Sequence, residues 1–188
     1  MQVTIFGKGN MGQAIGQNFD KAGNDVNYIT SSSKATHIGD LVVLAVPYSA
    51  LENIAEEYKE LFKGKVVVDI TNPLNFKTWS ELVVPADSSA AEELQEKLSD
   101  AIVLKAFNTN FAATLQTGRV GNQTTTVLVA GADEGKKLLT EALAGSSLNV
   151  LNAGPLKRAR ELEATGFLQM SLAASEQIGW TGGFAVIE

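Results

Sequence analysis

Gly7-Lys8-Gly9-Asn10-Met11-Gly12 sets three glycines in the spacing G-x-G-x-x-G. Such a segment does its chemistry through main chain and not through side chains. In a dinucleotide-binding turn the first glycine permits a tight bend and the second lets backbone approach a pyrophosphate. The third lets the following helix pack close to its strand. The spacing alone is weak, since glycine-rich turns are common. Its setting is stronger: a β-branched and aromatic run, Val3 to Phe6, precedes it and a helical pattern follows. Met11, Ile15, Phe19 and Ala22 share one face of that helix, and Gly23 is its stop. The helix N-terminus offers unpaired N–H groups and a positive dipole end to phosphates.

A second cluster, Ser31, Ser32, Ser33 and Lys34, stands where an NAD site usually places an acid, about 20 residues past the last glycine. Hydroxyls and an ammonium, with no carboxylate among them, suit a 2′-phosphate. The expected cofactor is therefore NADP(H), against the plainer reading of a polar turn with no ligand.

A third group lies where three apolar strands end: Ala45-Val46-Pro47-Tyr48, Thr71-Asn72-Pro73-Leu74, and Ala106 to Asn110. The carboxyl edge of an open α/β sheet is where ligands bind. Asn108, Thr109 and Asn110 either anchor a ligand there or cap the next helix. Other reactive side chains are few. His37, the single histidine, lies in a link and reads as a surface residue. Asp69 reads as a hydrogen-bonding turn residue. Tyr48, Lys77 and Lys105 are the available proton donors, and none has a recognisable catalytic spacing. The pattern suits hydride transfer by positioning, with Asn108 the one side chain expected to orient the rings.

Apolar runs place strands at 3–6, 25–30, 41–46, 65–70, 101–105, 124–130 and 148–151. Helical patterns fall between them: Pro47 to Phe62, a helix to Leu98 capped by Ser88, one to Ala144 capped by Asp133, and a long one from Leu156 to Ile178. A last short strand is expected at Ala185 to Ile187. The alternation predicts an α/β fold, a Rossmann-type doubly wound, mostly parallel sheet in one domain of 188 residues. Residues 155–188 would form a helical and strand appendage. Only Ala35 to Asp40 separates the serine cluster from the third strand, too short for a crossover helix, so the fold is trimmed there. Leu162, Phe167, Leu168, Met170, Leu172 and Ile178 do not share one stripe. That predicts a helix buried on more than one side, by the sheet and by a second copy or a substrate, and hence a homodimer.

Composition narrows the partners. A net charge of −6 with no basic stripe argues against nucleic acid. The chain has no cysteine, which removes disulfides, thiolate catalysis and cysteine-ligated metal, and no metal is expected. No apolar run reaches the roughly 18 residues that span a bilayer. A cytoplasmic protein without a membrane partner is the expectation.

Taken together, Gly7-Lys-Gly-Asn-Met-Gly12, Leu44-Ala-Val-Pro47, Lys105-Ala-Phe-Asn-Thr109 and Asn152-Ala-Gly-Pro155 with Arg158-Ala-Arg-Glu-Leu162 resemble the deazaflavin (factor 420)-dependent NADP oxidoreductase family. The resemblance implies a nicotinamide near Pro47, Asn72-Pro73 and Ala106 to Thr109. Members usually carry a helix and a further strand where this chain has the short link at 35–40. The N-terminal domain of transmembrane metalloreductases is similar. Pyrroline-5-carboxylate reductases share Gly-Asn-Met-Gly but carry a long helical dimerisation domain for which this chain has no room. The function expected is NADPH-dependent hydride transfer to a flat flavin- or deazaflavin-like acceptor. A non-catalytic NADP-binding or redox-sensing protein, and a small carbonyl or imine reductase, are the alternatives.

Overall fold

The computed structural model describes residues 1–187. Its first unit is the expected one. Strand β1 (Gln2–Phe6) runs through the glycine turn into helix α1 (Asn10–Lys21), and β2 (Asp25–Ile29) pairs parallel to β1. Strand β3 (Leu41–Leu44), helix α2 (Leu51–Phe62), strand β4 (Val66–Asp69), helix α3 (Ala90–Lys97) and strand β5 (Ile102–Lys105) continue the parallel sheet. After helix α4 (Ala112–Thr117) a small hairpin of β6 (Arg119–Val120) and β7 (Gln123–Thr124) leads to β8 (Thr126–Gly131). Helix α5 (Asp133–Leu143), strand β9 (Asn149–Gly154) and helix α6 (Ala159–Ala174) complete the order. The main sheet has seven strands in the order β2-β1-β3-β4-β5-β8-β9. Strand β8 is antiparallel to β5, and β9 is parallel to β8, so the sheet is mostly parallel.

Alternation within each strand feeds two cores. Ile5, Val43, Val68 and Leu104 face α1, α4 and α5, meeting Ile15, Phe19, Leu115 and Leu139. Phe6, Val42, Leu44 and Val67 face α2 and α3, meeting Leu51, Phe62, Ala91 and Leu94. Period-2 side chains on strands and period-3.6 stripes on helices are what cover both sides. Each fully buried aromatic, such as Phe19, contributes about 1.5–3 kcal/mol by leaving water. Asn18 is buried in the middle of α1, and its amide donates to the carbonyls of Ala14 and Leu115, both at 2.9 Å, tying α1 to α4.

The link between β2 and β3 contains no helix. Ala35 and Ile38 pack on the second core in place of one. Gly39 lies against the Gln2 main chain, where a Cβ would overlap the Gln2 carbonyl, and its N–H donates to Thr4 Oγ1 at 2.9 Å.

Several boundaries differ from expectation for local reasons. The strand expected at 124–130 is β8, and the preceding hairpin turns on Gly121 at φ 57°. Ser89, not Ser88, caps α3, because its extended backbone lets Oγ accept from the Glu92 N–H at 3.1 Å. Asp133 lies inside the first turn of α5, where it pairs with Lys136 at 2.9 Å, and Ala132 holds the cap position. The long helix starts after a 3-10 turn, Leu156–Arg158, and stops at Ala174. There Ser175 bonds back to the Ser171 carbonyl and Glu176 takes φ 60°. No strand forms at Ala185 to Ile187, which have no ladder partner among the described residues. The buried side of α6 also differs. It is Ala159, Leu162, Glu163, Gly166, Gln169 and Ala173, a stripe of small and polar residues, while Leu168 is 55% exposed. Among the described residues no helix is long and apolar enough to cross a membrane.

Candidate active-site clefts

Two clefts open at the carboxyl edge of the sheet, one on either side of the glycine turn. The first has a volume of about 650 Å³ and is lined by Gly7, Lys8 and Gly9, by Thr30, Ser31, Ser33 and Lys34, and by Ala45, Val46 and Pro47. Gly7 has φ +98°, and a Cβ there would overlap the Ala45 carbonyl; a Cβ on Gly12 would overlap the carbonyl of Gly7. Both glycines therefore serve close packing. Gly9 differs, since a Cβ there would meet nothing within 4 Å. The space in front of the α1 N-terminus is an open cradle of main chain, and it fits a pyrophosphate.

The serine cluster is only partly turned to this cleft. Ser32 Oγ lies 2.9 Å from Thr30 Oγ1, and Ser33 Oγ accepts from the Thr30 N–H at 3.0 Å. Lys34 pairs with Glu57 at 3.2 Å, and Glu57 itself lines the cleft. The expectation of a site free of carboxylate is thus corrected. The acid comes from α2, outside the stretch that a count from Gly12 reaches.

The second cleft, of about 620 Å³, is lined by Asn10, Met11, Ile70, Asn72, Asn108, Asn110, Phe111, Gln116, Met170 and Trp180 among others. Asn72 and Asn108 leave adjacent strands and hydrogen-bond each other. Phe107 takes φ 62° in full burial, edge-on to Phe19 with centroids 6.4 Å apart, and so turns the chain sharply as it leaves β5. A bulky residue in that region carries backbone strain of about 1–3 kcal/mol, which the surrounding packing offsets. Gly166 lets α6 approach the pair, because a Cβ there would overlap Asn72 Oδ1 and crowd Asn108. Buried Gln169 donates to the Thr109 carbonyl at 3.0 Å and accepts from the Phe184 N–H at 2.9 Å. The tail is thereby held against α6, and the Trp180 and Phe111 ring centroids lie 5.0 Å apart at the mouth.

Beneath this cleft lies an ion cluster. Lys105 Nζ stands 2.6 Å from Asp69 Oδ2, 2.8 Å from Glu163 Oε1 and 2.7 Å from the Thr71 carbonyl, with all three charged side chains fully buried. Glu163 also accepts from the Ala90 and Ala91 N–H groups at the start of α3, at 3.0 and 3.4 Å. Burial pushes the Glu163 carboxyl up, against the pull of Lys105. Asp69 also accepts from the Thr71 N–H at 2.8 Å, the turn role expected of it.

Of the residues singled out in the sequence, Asn10, Met11, Asn72 and Asn108 meet in the second cleft. Thr71, Pro73 and Ala106 are buried supports behind it. Tyr48 lines neither of the two clefts: its hydroxyl donates to Glu93 at 3.1 Å, and burial and then Glu93 push its pKa up to about 12. His37 and Lys77 are exposed. Sequence reading missed Glu57, Glu163, Gly166 and Gln169. A lone acid amid small residues on one side of α6 was the available signal for Glu163. No group of three metal-ligating side chains occurs among the described residues.

The chain is similar in sequence and in fold to known proteins. Residues 25–73 match the family described as NADP oxidoreductase, coenzyme F420-dependent. The F420-dependent NADP reductase of Methanocaldococcus jannaschii is 31% identical over 150 residues, 77% of this chain and 66% of that protein. The rat metalloreductase STEAP3 is 33% identical over 141 residues, 72% of this chain but only 27% of that protein. A crystal structure from Arthrobacter, described as a candidate F420-dependent NADP reductase, superposes with a TM-score of 0.83 at 20% identity, covering 99% of each chain. Family match, sequence relationship and whole-chain fold point the same way, toward the coenzyme F420-dependent NADP oxidoreductases, and this chain spans just under two thirds of the length of the first of these relatives and about a quarter of the second.

Proposed function

We propose that the protein binds NADP(H) across the two clefts and transfers hydride between its nicotinamide and a flat flavin- or deazaflavin-like acceptor. The carrying observation is the makeup of the second cleft: aromatic, thioether and amide side chains, and no acid or base among the described lining residues. Reduction of a carbonyl or imine needs a proton delivered at the reacting atom. A flavin-like ring takes hydride into a delocalised system and can collect its proton from solvent, so the site need only hold two rings about 3–3.5 Å apart.

The residues divide the work accordingly. The Gly7 to Gly12 turn and the α1 N-terminus would hold the pyrophosphate. Ser31, Ser33 and Lys34 would face the adenosine end, while Pro47 would stiffen the wall between the clefts. Asn72 and Asn108 would set the plane of the nicotinamide, which supplies the hydride when bound. We further propose a cytoplasmic homodimer with α6 at or near the interface, since Leu168 there, and Phe184 and Ile187 of the tail, are exposed apolar side chains.

The test is the fall in NADPH absorbance on adding flavin and deazaflavin acceptors. Oxidation is expected, with Tyr48→Phe and His37→Ala close to wild type across neutral pH. A loss of about a thousandfold in either variant would reveal a general acid and favour carbonyl or imine reduction. Tight NADPH binding with no oxidation by any acceptor would favour a non-catalytic sensor.

A further inference from the structure

We infer that Trp180 is the ring-contact residue of the second cleft: the flat hydride acceptor lies against its indole, and Gln169 is the positioning residue that holds the indole there. The inference rests on the hydride-transfer reading above and adds the side chain that receives the acceptor.

Trp180 is 51% exposed, so about half of a large apolar side chain stays in water instead of entering either core. Its ring centroid lies 5.0 Å from that of buried Phe111, with the planes tilted by 53°. Both residues line the second cleft, together with Met11 and Met170. Two aromatic rings and two thioethers thus border one open volume of about 620 Å³, a size that suits a small-molecule site. Such groups attract the faces and edges of a further ring. An indole half open to this cavity gains its missing burial when a flat ligand enters.

The chain around Trp180 presents it on a tight turn. Helix α6 ends at Ala174, and Glu176 takes φ 60°. The N–H groups of Gln177 and Ile178 both donate to the Leu172 carbonyl, at 2.9 and 3.3 Å. The Gly182 N–H donates to the Gly179 carbonyl at 2.9 Å, which puts Trp180 and Thr181 at the tip of a four-residue turn. Gly183 follows at φ +140°, a conformation that residues with a Cβ rarely adopt. Phe184 then donates its N–H to Gln169 Oε1 at 2.9 Å. The turn is fastened to α6 on both sides, by Leu172 before it and Gln169 after it.

Gln169 is 1% exposed, and both ends of its amide serve main chain outside its own helix. Besides accepting from Phe184, it donates through Nε2 to the Thr109 carbonyl at 3.0 Å. Thr109 follows Asn108, so one buried amide ties the Trp180 turn to the exit of β5. The segment it holds, 177–187, contains no charged side chain, and Phe184 and Ile187 remain exposed. A tail that buries so little is held by its hydrogen bonds, and what they fix is the place of Trp180 at the mouth of the cleft.

The test uses the full chain with FMN, riboflavin and 5-deazariboflavin, and follows whichever oxidises NADPH fastest. Two quantities are read for that acceptor: its KM, and its dissociation constant from the chain saturated with NADP⁺, a complex that cannot react. Trp180→Ala, at a half-exposed position, should raise both by about tenfold or more, the scale of one aromatic stacking contact. The NADPH dissociation constant should stay within about twofold of wild type, and Trp180→Phe should restore most of the loss. Gln169→Leu should act like Trp180→Ala, and the double variant should be no worse than either single one, because Gln169 acts through Trp180. Additive losses in the double variant would overturn the role given to Gln169. An acceptor dissociation constant unchanged in Trp180→Ala would overturn the inference and leave hydride transfer standing. No oxidation by any of the three acceptors, with NADPH bound, would overturn the hydride-transfer reading and this inference with it.

Discussion

Asn72 and Asn108 hold each other: Asn72 Nδ2 donates to the Asn108 carbonyl and Asn108 Nδ2 donates to Asn72 Oδ1, each at 2.9 Å. One residue follows β4 and the other follows β5. Asn108 also reaches α6 through the Leu162 carbonyl at 2.8 Å. Three segments of the cleft are therefore registered by one pair of amides.

Replacing Asn108 by alanine leaves Asn72 Oδ1 and the Leu162 carbonyl without their donor. The expected cost is about 1–3 kcal/mol, and turnover should fall roughly tenfold because the ring plane is no longer set. Thermal melting and kcat measured on the same preparation check this. Wild-type melting with wild-type turnover would remove the pair from the site.

Gly9→Val should leave the fold intact, because a side chain at this position enters open space. That space is where the pyrophosphate is placed, so NADPH binding should be lost. Circular dichroism and NADPH fluorescence titration decide it. A folded variant that still binds NADPH would put the pyrophosphate elsewhere.

Cofactor preference turns on the Lys34–Glu57 pair. NADP should be preferred to NAD, with Lys34→Ala reducing the preference by about tenfold through loss of a charge-assisted hydrogen bond. Glu57→Gln should act in the opposite sense, freeing Lys34 for a 2′-phosphate and removing a like charge. Dissociation constants for both cofactors check the signs. A stronger NAD preference in Glu57→Gln would show that Glu57 does not oppose the phosphate.

The ion cluster gives a stability test. Lys105→Met leaves Asp69 and Glu163 buried without their cation and should destabilise the fold by about 3–5 kcal/mol. The Glu163 pKa is raised on folding, so the folded chain holds that proton more tightly than the unfolded one. Its stabilising share is complete below the ordinary value of 4.5 and is lost as pH rises through the raised value. Glu163→Gln, which cannot titrate, should flatten that part of the stability curve. Urea midpoints from pH 4 upward measure it, and an unchanged slope would show that Glu163 is not the titrating group.

The parts legible in the sequence were those with a local signal. The run from Val3 to Gly12 announces strand, turn and helix within ten residues. The missing crossover helix was legible for the same reason, as a matter of chain length. Glu57 was not, because it acts on a residue distant in sequence and nothing local distinguishes it from a solvated helix acid; Glu163 left only the faint sign of an acid amid small residues on one side of α6. Gly166 and Gln169 escaped because a helix side made of small and amide residues gives no apolar period, yet α6 packs on it. The β6–β7 hairpin did leave a trace, since Gly121-Asn122 between two β-prone pairs is a two-residue turn signal.

The bare link after β2 has a kinetic consequence. Where a crossover helix could wall the adenosine side, the chain offers residues 30–40, and Ser31, Ser32, Ser33 and Lys34 are all exposed. A dinucleotide seated there would keep its adenine end wet and would be gripped chiefly at its middle and its nicotinamide end. Such a molecule would have a short residence time. It would arrive reduced, leave oxidised and be replaced at every turnover, so the protein would use it as a co-substrate drawn from a shared pool and not as a resident prosthetic group.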